Sequence, residues 1–167
     1  MNKALIVIDV QKYFLNKETK VIVKKIQEFL KEKAGRYSVV YFTAFKNDPS
    51  SPLWRISEWK GCADSPATDI CDEIKEFIND KNLFYKNILS AYKVPEIKKG
   101  LREHSVSEVD LCGFDTDCCV LATAYDLFDV GIKPVVLGNL TWSTSQEKLH
   151  KPALQMLERN IGFVKKI

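Results

Sequence analysis

The sequence predicts a three-layer α/β/α fold, in which helices cover both faces of a doubly wound, mainly parallel sheet of about six strands. Short, continuously apolar runs are typical of strands buried on both faces, and they recur at residues 4–8, 39–42 and 135–137. Amphipathic helical patterns separate these runs. No repeat, low-complexity tract or linker interrupts the alternation, so residues 1–167 are predicted to form one domain.

The first predicted helix follows the first strand and ends at Gly35, a residue type that commonly terminates helices. Its apolar positions recur at helical spacing, at Ile22, Ile26, Phe29 and Leu30. After the second strand, Ser65 and Pro66 are typical of an N-cap and a first helical position. They predict a second helix with one apolar stripe, formed by Ile70, Ile74, Phe77 and Ile78.

The second half of the chain continues the alternation. The third strand ends in LFY, immediately before Lys86, and Pro95 opens a shorter helix. A fourth apolar strand leads into the turn GFDTDCC. The next helix is predicted over residues 119–130 and ends at Gly131.

The last helix and strand complete the predicted sheet. Thr144 and Glu147 have the spacing of a capping box for this helix. Pro152 is expected either to kink the helix or to delay its start. A short strand is predicted at residues 163–166.

Composition excludes several classes of protein. The five cysteines show no framework of paired spacings, which indicates reduced thiols in a cytoplasmic protein. The apolar run near the N-terminus is too short to span a membrane and has no cleavage site behind it. The formal charge of +3 is mild, and no basic stretch is interleaved with aromatic residues. We therefore expect neither nucleic acid nor membrane as a partner.

Three chemically active side chains are expected at one edge of the sheet. In such sheets, ligands bind at the carboxyl ends of the strands. Asp9 closes the first strand, Lys86 follows the third, and the GFDTDCC turn follows the fourth. Alone, each has an ordinary structural explanation as a turn cap, a solvated charge or a small buried side chain. Together, a carboxylate and an ammonium beside a thiol at a helix N-terminus predict a lowered thiol pKa and a nucleophile.

Three stretches resemble the isochorismatase-like cysteine hydrolases, the family of nicotinamidases and carbamoylsarcosine amidases. They are the aspartate in IDVQKYF, the lysine in YKNILSAY and the cysteine in GFDTDCCV. The last fits the family pattern of glycine, two residues, threonine, two residues, cysteine and valine. Only Cys119 has that spacing from Gly113 and Thr116, while Cys118 falls on a variable position. The similarity continues through TAYDLFDVG and covers most of the chain.

The resemblance implies a hydrolase that cleaves a small amide-type C–N bond through a thioester acyl-enzyme. Cys119 is the implied nucleophile, Asp9 the proton acceptor, and Lys86 the group that balances charge between them. The implied oxyanion hole consists of the backbone amides of Cys119 and Asp115, with a cis bond between Phe114 and Asp115. Family members are usually homo-oligomers, and we expect the same here.

Aromatic residues are predicted to wall a small substrate pocket. The resemblance assigns Phe14 to it, and three other aromatic residues are added as candidates: Trp54, Trp59 and Tyr92. Arg55, in the same loop as the tryptophans, is expected to be exposed and without a role.

Two features depart from the family. Nicotinamidases bind a metal through an aspartate and histidines after the second strand, but here AFKNDPSSPLWRISEWKGC contains no histidine. The chain's two histidines, His104 and His150, lie elsewhere, so we predict no metal or other cofactor and disfavour nicotinamide as the substrate. Asp115 is the second departure, because an acid beside the oxyanion site would disfavour a thiolate. Its side chain is expected to point away.

Two other functions stay open. One is a thiol redox protein that uses the adjacent pair Cys118 and Cys119. The other is a catalytically silent member of the family that serves as a binding or assembly module. A Cys118→Ser variant separates the first from a hydrolase, because hydrolysis survives it and disulfide cycling does not.

Overall fold

The computed structural model describes residues 2–166 and contains a six-stranded sheet in which every strand pairing is parallel. The strands are β1 (Asn2–Ile8), β2 (Val39–Phe45), β3 (Leu83–Lys86), β4 (Val106–Phe114), β5 (Lys133–Trp142) and β6 (Val164–Lys165). Their order across the sheet is β3-β2-β1-β4-β5-β6. The chain therefore winds outward from β1 in both directions, which confirms the predicted doubly wound fold.

Helices cover the two faces of the sheet in separate layers. They are α1 (Lys17–Lys33), α2 (Pro52–Arg55), α3 (Pro95–Glu103), α4 (Leu121–Asp129) and α5 (Glu147–Ile161). Leu5 and Val7 of β1 belong to the core layer that contains α1, whereas Ile6 and Ile8 belong to the layer that contains α3, α4 and α5. Successive side chains of a strand point to opposite faces, so β1 is buried by both layers. No helix within residues 2–166 is long and apolar enough to cross a bilayer.

The segment after Ser65 does not form the predicted α-helix. Only Asp72–Phe77 is helical, and it is a 3₁₀-helix. The preceding peptide groups bond to the loop after β1 instead, as in the 2.8 Å bond from Lys12 N to Asp69 O. Ile74 is still buried against the core, so tertiary bonding to the β1 loop, and not a lack of apolar contacts, prevents the longer helix.

The start of α5 also differs from the prediction. Thr144 does not form a capping box, because its backbone N–H and its hydroxyl both donate to the Asp115 carboxylate, at 2.9 and 2.6 Å. The helix begins at Glu147, and Pro152 lies inside it, so the proline does not delay its start.

Candidate active site

The carboxyl edge of the sheet brings Asp9, Lys86 and Cys119 together. Asp9 directly follows β1, Lys86 ends β3, and Cys119 lies in a single π-helical turn, Thr116–Val120, between β4 and α4. Lys86 Nζ lies 2.7 Å from Asp9 Oδ2 and 3.4 Å from Cys119 Sγ. The exposed fractions of the three residues are 0%, 4% and 5%. The structure thus contains a buried ammonium that contacts both a buried carboxylate and a buried thiol.

Asp9 is held by the neighbouring strand β2. The Thr43 hydroxyl donates to Asp9 Oδ1 at 2.8 Å, and the backbone N–H of Asp9 donates to Thr43 O at 3.1 Å. Asp9 has a φ of 51°, a left-handed conformation in which aspartate is over-represented. This turn at the end of β1 places the carboxylate between Thr43 and Lys86. The contribution of Thr43 was not predicted.

Lys86 is surrounded by acceptors. Besides the Asp9 carboxylate, its ammonium donates to Ile88 O at 3.0 Å and to Leu89 O at 2.9 Å. An ammonium has three N–H groups, so the sulfur of Cys119 shares one of them. Burial lowers the pKa of Lys86, but the Asp9 carboxylate and Cys119 outweigh burial, and the net pKa is raised. The charged form of Lys86 is therefore favoured at this site.

The Cys119 thiol differs from the expectation of a lowered pKa. Its hydrogen bond with Cys118 and its burial raise its pKa well above the usual range, although Lys86 acts in the opposite direction. The Asp9 carboxylate, bound to the same ammonium, also raises it. The hydrogen bond with Cys118 and burial therefore favour the protonated thiol at rest, and this thiol loses its proton when it attacks.

The turn that carries Cys119 is tightly built. Gly113 has a φ of 108°, and a Cβ at this position would collide with the carbonyl oxygen of Ile8. Only glycine meets both requirements. The peptide bond between Phe114 and Asp115, one residue further along, is cis. The backbone N–H groups of Cys118 and Val120 both donate to Asp115 O at 3.1 Å, which fixes the start of the π-helical turn.

A buried chain of hydrogen bonds stabilises the turn that carries Cys119. Thr141 Oγ1 donates to Gly113 O at 2.7 Å and lies 2.8 Å from Thr116 Oγ1, which lies 2.9 Å from His150 Nδ1. Since Gly113 O can only accept, Thr141 must accept from Thr116, and Thr116 must accept from His150. His150 is thus a buried packing histidine that carries its proton on Nδ1.

A cavity of about 340 Å³ opens onto the thiol. Among the residues predicted for the pocket, Phe14 and Trp59 line it. Trp54 and Tyr92 are not among its described lining residues; their rings lie under Lys60 and Lys98, at 4.2 and 5.1 Å. The complete lining is Tyr13, Phe14, Phe45, Leu53, Trp59, Leu89, Asp115, Cys118, Cys119 and Thr144.

The remaining side chains of the prediction are also placed. Arg55 and His104 are exposed, and the structure gives neither a contact with the cavity. The side chain of Asp115 was expected to point away from the site; Asp115 is one of the residues that line the cavity, and its carboxylate accepts two hydrogen bonds from Thr144, another lining residue. Tyr13 and Phe45 were not predicted to line the cavity. For Tyr13, the only sign of this role in the sequence was its position directly before Phe14.

The loop after β2 does not fit a metal ion. Its Asp48 carboxylate accepts bonds from the backbone N–H and the hydroxyl of Ser50, at 2.7 and 2.5 Å, and from the side chain of Asn87. Within residues 2–166, no three histidine, cysteine or acidic side chains are grouped so that they could hold a metal. The residues of this loop therefore do not fit the metal site of a nicotinamidase.

The fold and the buried cluster define a doubly wound α/β protein with a cysteine site. A family model, the isochorismatase domain, matches residues 3–165. A Bacillus subtilis (strain 168) relative, described as an uncharacterized isochorismatase family protein, PncA, is 28% identical over 97% of both chains. Nicotinamidase 3 of Arabidopsis thaliana is 28% identical over 96% of this chain and 83% of its own.

A solved structure gives the same result. The pyrazinamidase/nicotinamidase of Streptococcus mutans UA159 superposes with a TM-score of 0.83 at 25% identity, over 98% of this chain and 100% of that one. The chain belongs to the isochorismatase family. It is accordingly a hydrolase of the amidohydrolase type, which acts on C–N bonds other than peptide bonds.

Proposed function

We propose that this protein hydrolyses a small amide through a thioester acyl-enzyme on Cys119. One observation carries the proposal: the only described thiol in contact with a buried ammonium, at 3.4 Å, is also at the floor of a cavity of about 340 Å³. A thiol and a carboxylate that both contact one ammonium supply a nucleophile, a proton acceptor and a fixed counter-charge.

In the first half-reaction, Cys119 Sγ attacks the amide carbonyl carbon while Asp9 takes the thiol proton. The C–N bond then breaks, and the leaving nitrogen takes the proton from Asp9, which gives a thioester and a free amine or ammonia. In the second half-reaction, Asp9 takes a proton from water, whose oxygen attacks the thioester. The acid leaves, and the proton returns to the sulfur.

The neutral resting thiol fits this sequence, because the proton leaves the sulfur only as the new bond forms. Lys86 keeps the same three acceptors throughout and stabilises the carboxylate whenever Asp9 is ionised. The backbone amides of Cys119 and Asp115 are the proposed oxyanion donors. In other hydrolases, loss of one such donor costs about 2.7–4 kcal/mol in the barrier.

The lining of the cavity favours a small substrate with an apolar or aromatic body, because four aromatic residues line it. Two relatives are named nicotinamidases, which supports an amide as the substrate class. The loop after β2 lacks the histidines expected of a nicotinamidase metal site, so nicotinamide itself is not proposed. A homo-oligomeric state and a cytoplasmic location remain predictions.

The acyl-enzyme gives the direct test. The protein is mixed with a panel of small amides, quenched in acid within one turnover and analysed by intact and peptide mass spectrometry. We expect a mass increment equal to the acyl group on the peptide that contains Cys119. Cys118→Ser should retain it and Cys119→Ala should lose it. Turnover with the increment on Cys118, or turnover that survives Cys119→Ala, would refute the proposal and favour the redox or another alternative.

A further inference from the structure

Asp115 gives the cavity an uncompensated negative charge. Of the described residues that line the cavity, it is the only acidic or basic one. Lys86 and Asp9 neutralise each other behind Cys119. No lysine or arginine within residues 2–166 lies within ion-pair distance of Asp115. The cavity is thus lined by one acidic residue that has no paired cation among the described residues.

The carboxylate is fixed in position and is able to bind a ligand. Thr144 donates one hydrogen bond to each of its oxygens, at 2.9 and 2.6 Å. A carboxylate oxygen accepts two bonds, so each still has one acceptor site available. Burial raises the pKa of Asp115 to about 6, and the charge of Asp117 contributes to this shift. The group is still mainly ionised at neutral pH.

The rest of the wall suits a cation as well. Tyr13 packs edge-on against Phe14 and Trp59, with ring centroids 5.3 and 5.6 Å apart, and Trp59 lies 6.0 Å from Phe45. Aromatic faces attract ammonium groups, most strongly where water is excluded. An anionic substrate would find neither a positive side chain nor a favourable ring face in this lining.

Two cations of the loop between β2 and β3 lie outside the described lining of the cavity. Lys60 Nζ donates to Trp54 O at 2.7 Å and lies over the Trp54 ring, outside the cavity lining. Arg55 is exposed and is not part of that lining. Both side chains are exposed to solvent, so dissolved salt screens their charges.

We propose that Asp115 and the aromatic wall select small amides that carry a positive charge, such as a substituted ammonium, over neutral and anionic amides. The inference rests on the proposed function, because it takes the cavity beside Cys119 as the substrate site. The substrate class is defined by its positive charge, and the side chain of Asp115 determines the specificity for that charge.

Binding, measured without turnover, tests this directly. Isothermal titration of the Cys119→Ala protein compares three amides of similar size: trimethylammonio-butyramide, its neutral isostere with a tert-butyl group, and the anionic monoamide of glutaric acid. We expect the cationic amide to bind about tenfold more tightly than the neutral one, and the anionic amide to bind most weakly. Adding Asp115→Asn should reduce the preference for the cationic amide to about twofold or less. The cation–π contacts account for the preference that remains.

Asp129→Asn on the Cys119→Ala background is the matched control. It removes one negative charge from an exposed position at the end of α4, outside the cavity lining, and should leave the preference unchanged. Melting curves check that each variant is folded. Equal binding of the cationic and neutral amides, no binding of the cationic amide, or an unchanged preference in Asp115→Asn would each overturn the inference.

The two proposals fail in different ways. If an acyl group is trapped on Cys119 but binding shows no cationic preference, the mechanism stands and the specificity proposal is wrong. If the cationic amide binds in an Asp115-dependent manner but no acyl-enzyme forms from it in the protein with Cys119 intact, the specificity proposal stands and the thioester mechanism is wrong.

Discussion

The ammonium of Lys86 lies 2.7 Å from the carboxylate of Asp9, 77 positions earlier in the chain, and neither side chain is exposed to solvent. Removing two charges from water is costly, and a buried ion pair is often no more stable than a well-packed apolar pair. The pair is therefore explained better by the thiol it contacts than by a contribution to stability. Its burial also makes it sensitive to the loss of either partner.

Lys86→Met should strongly destabilise the protein, because it leaves the buried Asp9 without a counter-charge. The expected loss is about 3–5 kcal/mol in the free energy of unfolding, measured by urea denaturation. Adding Asp9→Asn to Lys86→Met should recover part of this loss, since no charge then remains uncompensated. Lys99→Met is the control: Lys99 and Glu103 form an exposed pair at 3.7 Å, and its loss should change stability by less than about 0.5 kcal/mol.

Alkylation should be confined to the two adjacent cysteines. Cys62, Cys71 and Cys112 are buried and are not among the described residues that line the cavity. Cys118 and Cys119 line the cavity and are the thiols that a small reagent can reach. Iodoacetamide at neutral pH, followed by peptide mass analysis, should modify residues 118 and 119 only. Labelling of Cys62 or Cys71 in the folded protein would show that the described cavity is not the accessible one.

The sheet and the three reactive residues were predictable for a common reason. Buried parallel strands produce continuous apolar runs, and the carboxyl ends of such strands meet at one edge. Asp9 and Lys86 each follow such a run, so their meeting is a consequence of topology. The GFDTDCC turn after β4 then brings Cys119 to the same edge, and the motif spacing distinguishes it from Cys118.

The partners of these residues were not predictable. Thr43 donates to Asp9, and Thr144 donates to Asp115, across 34 and 29 positions of the chain. Such bonds leave no local pattern in the sequence. The same holds for the loop between β2 and β3, where the path of the chain, and not the presence of an aromatic residue, decides that Trp59 lines the cavity and Trp54 does not.

Acid should weaken the protein through Glu108. Burial favours the protonated form of this side chain, but hydrogen bonds from Lys133 and Lys3 outweigh burial and lower its pKa from 4.5 to about 2. A lowered pKa in the folded state gives stability that is present above pH 4.5 and is lost as the pH falls through about 2. Glu108→Gln should therefore remove roughly 2–3 kcal/mol at neutral pH and flatten this part of the pH–stability curve.

Chemical denaturation at several pH values measures this effect. Glu103→Gln is the matched control, because Glu103 forms only an exposed pair with Lys99 and should leave the curve unchanged. A parallel curve for Glu108→Gln and the wild type, offset by a constant amount, would show that the ion pairs with Lys3 and Lys133 contribute no pH-dependent stability.

Metal removal should leave the protein unchanged. The loop after β2 contains no histidine, and the Asp48 carboxylate is already bonded to Ser50 and Asn87. Elemental analysis of the purified protein should find no stoichiometric zinc or iron, and dialysis against a chelator should alter neither the melting temperature nor amide turnover. One tightly held metal ion per chain, with activity lost on its removal, would contradict the prediction.

Asp9 and Cys119 should act as one catalytic unit. Asp9→Asn keeps the shape of the side chain but cannot accept the thiol proton, so it should abolish turnover about as completely as Cys119→Ala. Members of such a unit are non-additive, and the double variant should lose no more than either single one, as measured by kcat/KM for an amide that acylates the wild type. Thermal melting excludes variants that are unfolded. If Asp9→Asn keeps most of its turnover, or if the two losses multiply, the proton does not travel from Cys119 to Asp9. The contact that both residues make with Lys86 would then serve packing alone.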